Sequence, residues 1–162
     1  MVKFPITQKG YEKLEREIKK LKYTDRPAII EAIATAREFG DLSENAEYHA
    51  AREKQGFIEG RISDLEDKFS RAEIVDSSKL SDDSVKFGAT VKLMDDDTEE
   101  ECIFHIVGEY EADISKNRIS TQSPVAKALI GKSFGDIVEV STPKGSKVYE
   151  ILEIIFQELE LD

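Results

Sequence analysis

A lone cysteine, Cys102, cannot close an internal disulfide, and without a second cysteine the chain has no cysteine-rich zinc set. Its expected place is a small core position in a strand. There is no long apolar run, and the amino end "MVKFPITQKGYEKL" lacks the hydrophobic stretch of a secretory signal. The expectation is a soluble, cytoplasmic protein with no membrane partner. Tryptophan is absent and there are only five tyrosines and eight phenylalanines. That scarcity argues against an aromatic-lined pocket, such as a prolyl isomerase would need in the second half of the chain. Basic residues are also in deficit. A net charge of −11 over 162 residues excludes broad, sequence-independent wrapping of a nucleic-acid backbone. The deficit is uneven. Residues 1–78 hold 14 basic and 16 acidic side chains, net −2, and residues 79–162 hold 9 and 18, net −9. Any nucleic-acid contact therefore belongs to the first half.

What is present changes period partway along the chain. From Tyr48 the apolar or small positions run Tyr48, Ala51, Gln55, Ile58, Ile62, Leu65, Phe69 and Ala72, alternating steps of three and four as a coiled-coil seam does. Gln55 is its one polar member. Upstream, Tyr11, Leu14, Ile18 and Leu21 form a similar stripe, which resumes as Ile29 or Ile30, then Ile33 and Ala36. Pro27 interrupts it, so "YTDRPAII" should either kink the helix or start a second one, with Asp25 or Thr24 as cap and Pro27 in its first turn. Two helices with matching seams and a tight connection should fold back as an antiparallel hairpin. From Asn45 to Ala72 the second helix would extend about 40 Å at roughly 1.5 Å per residue, longer than a small domain is wide.

Beyond a polar, charged linker at residues 77–84 the period shortens to that of strands. "KFGATVKLMDDDTEEECIFHIVG" reads as a β-hairpin with arms Phe87 to Leu93 and Cys102 to Val107 around an acidic turn, and "DIVEVS" and "KVYEILEIIF" read as two further strands joined by "TPKG". Between the pairs lies a short helix, "SPVAKALIG", with Ser123 as N-cap, Pro124 at the first helical position and Gly131 as its stop. The fold class is α+β: an N-terminal antiparallel helical coiled-coil hairpin over 1–76, its tip near 39–47, then a small sheet with one helix over 85–162.

The hairpin tip, "FGDLSE", carries two carboxylates three residues apart, Asp41 and Glu44. A capping box accounts for both, with Gly40 ending one helix and Asp41 opening the next. The same spacing sets the side chains about 5–6 Å apart at Cβ, where they could share a divalent cation. Two carboxylates fall short of the roughly six oxygens Mg²⁺ requires, so such a tip would be half a site, completed by another molecule. Arg37, Arg52 and Lys54 flank it. They have Glu38 and Glu53 at hand as ion-pair partners, and near a metal-donating tip they could instead meet phosphates. Tyr48 opens the seam; His49 has no activated nucleophile beside it and is assigned no catalytic role.

Across nearly the whole chain, "RPAIIEAIATAREFGDLSENAEYHAAREKQGFIEGRI", "FGATV", "IVGEYEAD", "IS", "SPVAKALIGK" and "TPKG" closely resemble the GreA/GreB family of bacterial transcript-cleavage factors. The resemblance implies a coiled-coil hairpin that enters the secondary channel of bacterial RNA polymerase and an FKBP-like second domain that docks at the channel rim. It implies a factor that is no enzyme by itself and stimulates hydrolysis, at the polymerase's own centre, of the RNA 3′ end extruded in a backtracked elongation complex. The family's acidic pair falls on Asp41 and Glu44, which would help hold a Mg²⁺ shared with the polymerase. By the same resemblance Arg37 and Arg52 lie near the extruded RNA, and Ser120, Ser123 and Pro124 contribute to docking. The small basic cluster resembles the family branch with the less extensive basic face. The competing expectation is a channel-binding factor that modulates polymerase without cleavage, since capping alone explains the tip.

Overall fold

A computed structural model describes residues 2–75 and 84–156. The chain divides into two compact units, one over Glu12–Arg71 and one formed by Val2–Tyr11 with the residues from Ala72 onward. Most of the expected linker, residues 77–83, lies outside the described residues. The start of the hairpin differs from the expectation of a first domain beginning at residue 1. Phe4–Ile6 forms strand β1, paired in parallel with β2, Ala72–Ile74, and both Phe4 and Ile6 are buried. Three-residue strands have no readable period, and their partners lie almost 70 positions apart in sequence.

In the first unit, helix α1 (Gln8–Lys20) runs into a π turn over Leu21–Asp25 and on into α2 (Arg26–Arg37); α3 (Ala46–Arg71) returns antiparallel to them. Every residue of the expected α3 seam is buried or half-buried, with Ile58, Ile62 and Leu65 fully inside. On α2 the choice at the seam falls on Ile29, since Ile30 is 52% exposed. Ile29 and Ile33 pack against Ile58 and Ile62, with Leu21, Tyr48 and Ala51 at the margin. Arg61 pairs with Glu17, Lys22 with Glu66 and Arg26 with Glu59 across the hairpin, each at 2.9 Å. At their exposure such pairs contribute under about 1 kcal/mol each and serve mainly to hold register.

Pro27 lies in the first turn of α2 with Asp25 at the cap position, as the second of the two expectations has it, but no break in the helical backbone precedes it. Backbone angles at Lys20, Asp25 and Arg26 are all helical, the Asp25 side chain makes no capping hydrogen bond, and the Arg26 N–H donates to the Leu21 carbonyl five residues back. The seam explains the wide turn. From Leu21 to Ile29 is eight residues where a heptad takes seven, and a π turn absorbs one surplus residue while keeping both side chains on the inner face. The same widening accommodates a ring that would otherwise press on the carbonyl four residues earlier.

The second unit is a five-stranded sheet in the order β5-β4-β3-β7-β6, in which β4 and β5 run parallel and the other neighbours antiparallel. Strands β3 (Ala89–Asp95), β4 (Glu101–Val107), β6 (Ile137–Thr142) and β7 (Gly145–Phe156) match the four expected from the sequence. The edge strand β5 (Arg118–Ser120) is an addition to those four, three residues long and defined by its parallel pairing with β4. Alternate residues Val91 and Leu93 of β3, with Ile106, Val140 and Ile151, are wholly buried beneath helix α4 (Pro124–Leu129), whose Leu129 closes the core. Cys102 packs against this core from β4, and burial raises its thiol above the ordinary value. Ser123 caps α4 by accepting from the Ala126 N–H at 3.1 Å, with Pro124 as the first helical residue.

The N-terminal segment is fastened to this unit by a buried carboxylate. Glu111, 4% exposed, accepts hydrogen bonds through Oε1 from the Thr7 N–H (2.7 Å) and the Thr7 hydroxyl (2.9 Å), and the Thr7 hydroxyl in turn accepts from the Gly10 N–H (3.0 Å). Gly108 permits this closeness. A Cβ there would stand 2.2 Å from the Pro5 carbonyl oxygen.

Candidate functional site at the hairpin tip

Helix α2 ends at Arg37, and the chain reverses over residues 38–45. Gly40 sits at φ +119°, a conformation costly for any residue with a Cβ, although the space around it is open. Asp41 is extended, and its Oδ1 accepts from the Ser43 N–H (3.0 Å) and the Ser43 hydroxyl (2.9 Å), capping a single 3₁₀ turn over Leu42–Glu44. Those two bonds hold the Asp41 carboxyl below its ordinary pKa. The Glu44 side chain is exposed and makes no hydrogen bond or ion pair with any described residue.

The capping box expected from "DLSE" is therefore divided. Because the 3₁₀ turn intervenes, Asp41 lies five positions before Ala46, the first residue of α3, too far to reach its free N–H groups. Asn45 takes that task. Its Oδ1 accepts from the Tyr48 N–H at 3.0 Å, and its Nδ2 donates to the Ala36 carbonyl at 2.6 Å. His49 leans back over the turn, with Nε2 3.4 Å from the Ser43 carbonyl. The signal for Asn45 was present in the sequence, as an N-cap residue type directly before a helical run. The neighbouring "DLSE" offered a more conspicuous cap.

Asp41 and Glu44 line one shallow open depression with Phe39, Asn45, Ala46 and Glu47. Among the described residues no three His, Cys, Asp or Glu side chains are arranged to hold a metal ion. The donors available at the tip are hard carboxylate oxygens, suited to Mg²⁺ and too few to enclose it. As a partial site the residues fit.

The basic flank does not pair with Glu38 or Glu53. The Arg37 guanidinium lies over the Tyr48 ring, 5.8 Å from its centroid, and Arg52 has no ion pair among the described residues. Arg52 follows Tyr48 by four positions on α3, one helical turn further from the tip. Tyr48 itself is half-buried in the seam and meets His49 edge-on at 5.6 Å. Ser120, Ser123 and Pro124 belong to the second unit. Ser120 ends β5 and its Oγ accepts from the Gln122 N–H at 3.0 Å, so all three have local structural roles.

The two units together define a protein that displays acidic groups at the end of a helical rod and carries a separate mixed sheet. The family model for the N-terminal region of transcription elongation factors matches residues 4–74, and the model for the C-terminal region of GreA/GreB factors matches residues 80–156. Over 159 residues the chain is 68% identical to transcription elongation factor GreA of Rickettsia felis, covering 98% of each, and over 154 residues it is 59% identical to GreA of Phenylobacterium zucineum, covering 95% of this chain and 98% of that one. Among solved structures, GreA factor homolog 1 of Thermus thermophilus is similar at 28% identity and a TM-score of 0.44, covering 94% of this chain and 99% of that one. The chain belongs to the GreA/GreB family of transcription elongation factors.

Proposed function

We propose that the protein binds bacterial RNA polymerase in the cytoplasm, inserts its hairpin tip into the secondary channel and stimulates endonucleolytic cleavage of backtracked RNA, so that arrested complexes resume elongation. The observation that carries this reading is the tip itself. Asp41 is held in the exposed turn by its two bonds from Ser43, and Glu44, three residues on, has no competing partner among the described residues. Asp41 and Glu44 would be this chain's ligands to a Mg²⁺ shared with the polymerase centre. When bound beside a second ion, Mg²⁺ stabilises the charge on the attacking and leaving oxygens of phosphodiester hydrolysis. Arg37 and Arg52, free of acidic partners among the described residues, would pair with phosphates of the extruded RNA 3′ end. The second unit would dock on polymerase through the region of Ser120, Ser123 and Pro124. The catalytic centre remains the polymerase's, and this chain supplies ligands and positioning.

The test is cleavage of 3′-labelled RNA in stalled, backtracked complexes with Mg²⁺. The protein should release 3′ fragments, while Asp41→Asn and Glu44→Gln should bind polymerase as before and release them far more slowly. Equal rates for wild type and Asp41→Asn would remove the role given to that acid. One observation favours a second reading, a channel-binding factor that does not promote cleavage: the Ser43 bonds give Asp41 a structural task of its own. Polymerase binding with the backtracked RNA left intact would establish that reading instead.

A further inference from the structure

Asn45 uses both ends of one carboxamide. A backbone N–H can only donate and a carbonyl can only accept, so the pair of bonds fixes the amide's orientation, with Oδ1 facing Tyr48 N and Nδ2 facing Ala36 O. The two anchor points lie on different helices. Ala36, 4% exposed, is the last buried seam residue of α2, and Tyr48 lies in the first turn of α3. Ala36 is also where the end of α2 gathers its bonds, since its carbonyl receives the Phe39 N–H at 3.1 Å. The side chain of Asn45 thus closes the tip across nine positions, with Asp41 and Glu44 inside the closed segment.

We propose that Asn45 is a positioning residue for the acidic turn, its amide tying the end of α2 to the start of α3 so that Asp41 and Glu44 are presented from a closed, preorganised loop. This rests on the cleavage reading given above. Capping alone needs only an acceptor, which Ser or Asp supplies as well as Asn does. The bridge needs a donor and an acceptor on separate atoms of one side chain, which among short side chains is specific to Asn, since a Ser or Thr hydroxyl carries both on a single oxygen closer to the backbone. The turn is then held from a second direction by His49 at the Ser43 carbonyl and internally by Ser43 on Asp41. Ligands held in place before binding forfeit less ordering entropy when the ion and the partner arrive.

The experiment compares wild type, Asn45→Ser, Asn45→Asp and Asp41→Asn in the full-length protein. Asn45→Asp keeps the cap and loses the donor; Asn45→Ser keeps the cap, and its single, shorter hydroxyl oxygen does not span to the Ala36 carbonyl as the amide does. In backtracked complexes the maximal cleavage rate of each should fall about 3- to 10-fold, the range of one neutral hydrogen bond. The Mg²⁺ concentration for half-maximal rate should rise, and the protein concentration for half-maximal effect should stay unchanged. In the free protein, amide hydrogen exchange at Ser43 should quicken by a similar factor while Tyr48 keeps its protection. Either Asn45 variant matching wild type in cleavage and in Ser43 exchange, while Asp41→Asn abolishes cleavage, would overturn the proposal. Should wild type itself fail to stimulate cleavage, the functional reading falls. The Ser43 exchange would still decide whether the bridge holds the turn.

Discussion

Replacing Glu111 probes how the first residues of the chain are held. Its Oε1 is the acceptor for two donors of Thr7, which is itself only 5% exposed, so Glu111→Ala would leave a buried N–H and hydroxyl without their partner. Hydrogen bonds to a charged acceptor contribute about 1.5–3 kcal/mol each, so the pair is worth at least about 3 kcal/mol. At tenfold per 1.36 kcal/mol, opening of the segment should become roughly 100-fold more frequent. Hydrogen exchange of the Thr7 and Gly10 amides, and of Val75, whose N–H donates to the Ile6 carbonyl at 2.8 Å, reads that opening directly. The pH dependence adds a second arm. Burial raises the Glu111 carboxyl above its ordinary 4.5, against the lowering pull of the Thr7 N–H and hydroxyl. The closed state therefore holds its proton to higher pH than the open one. The stabilisation linked to that proton is complete below about 4.5 and is lost as pH rises through the raised value. Protection corrected for intrinsic exchange should fall across that window in wild type and stay flat in Glu111→Gln. A change below tenfold in Glu111→Ala, or parallel pH profiles for wild type and Glu111→Gln, would refute this account of the clamp.

Ile62, 2% exposed at the centre of the hairpin seam, should lose about 2–5 kcal/mol of stability when changed to Ala, measured by urea unfolding of the helical circular dichroism signal. Phe57→Ala, on the 71% exposed face of the same helix, should stay within about 0.5 kcal/mol. Ser123→Ala should cost the second unit about 0.5–2 kcal/mol in thermal unfolding through loss of the α4 cap, and Ser123→Asn should restore it. If Ser123 also touches polymerase, Ser123→Asn should still bind polymerase more weakly than wild type.

The elements that were legible in the sequence are those whose residues repeat with a period. The α3 seam, the hairpin, strands β3, β4, β6 and β7 and the capped helix α4 all declare themselves through neighbours a few positions apart, because amphipathic burial imposes steps of three and four or of two. The acidic tip was legible as a pair of carboxylates at a helix break, and the family through its ordered motifs. At three points the outcome depended on distant partners. Pro27 stays inside a continuous helix because the opposite seam requires Leu21 and Ile29 on one face and a π turn absorbs the extra residue. The cap of α3 passes from Asp41 to Asn45 because the 3₁₀ turn over Leu42–Glu44 leaves Asp41 five positions short of α3, and the other end of the Asn45 amide is then taken by the Ala36 carbonyl nine positions back. Strands β1, β2 and β5 are three residues long and exist only through their pairing, just as Thr7 and Glu111, 104 positions apart, meet only in the folded chain. Local periodicity determines which residues must be buried. Long-range contact decides which of several locally adequate hydrogen-bond partners each group takes.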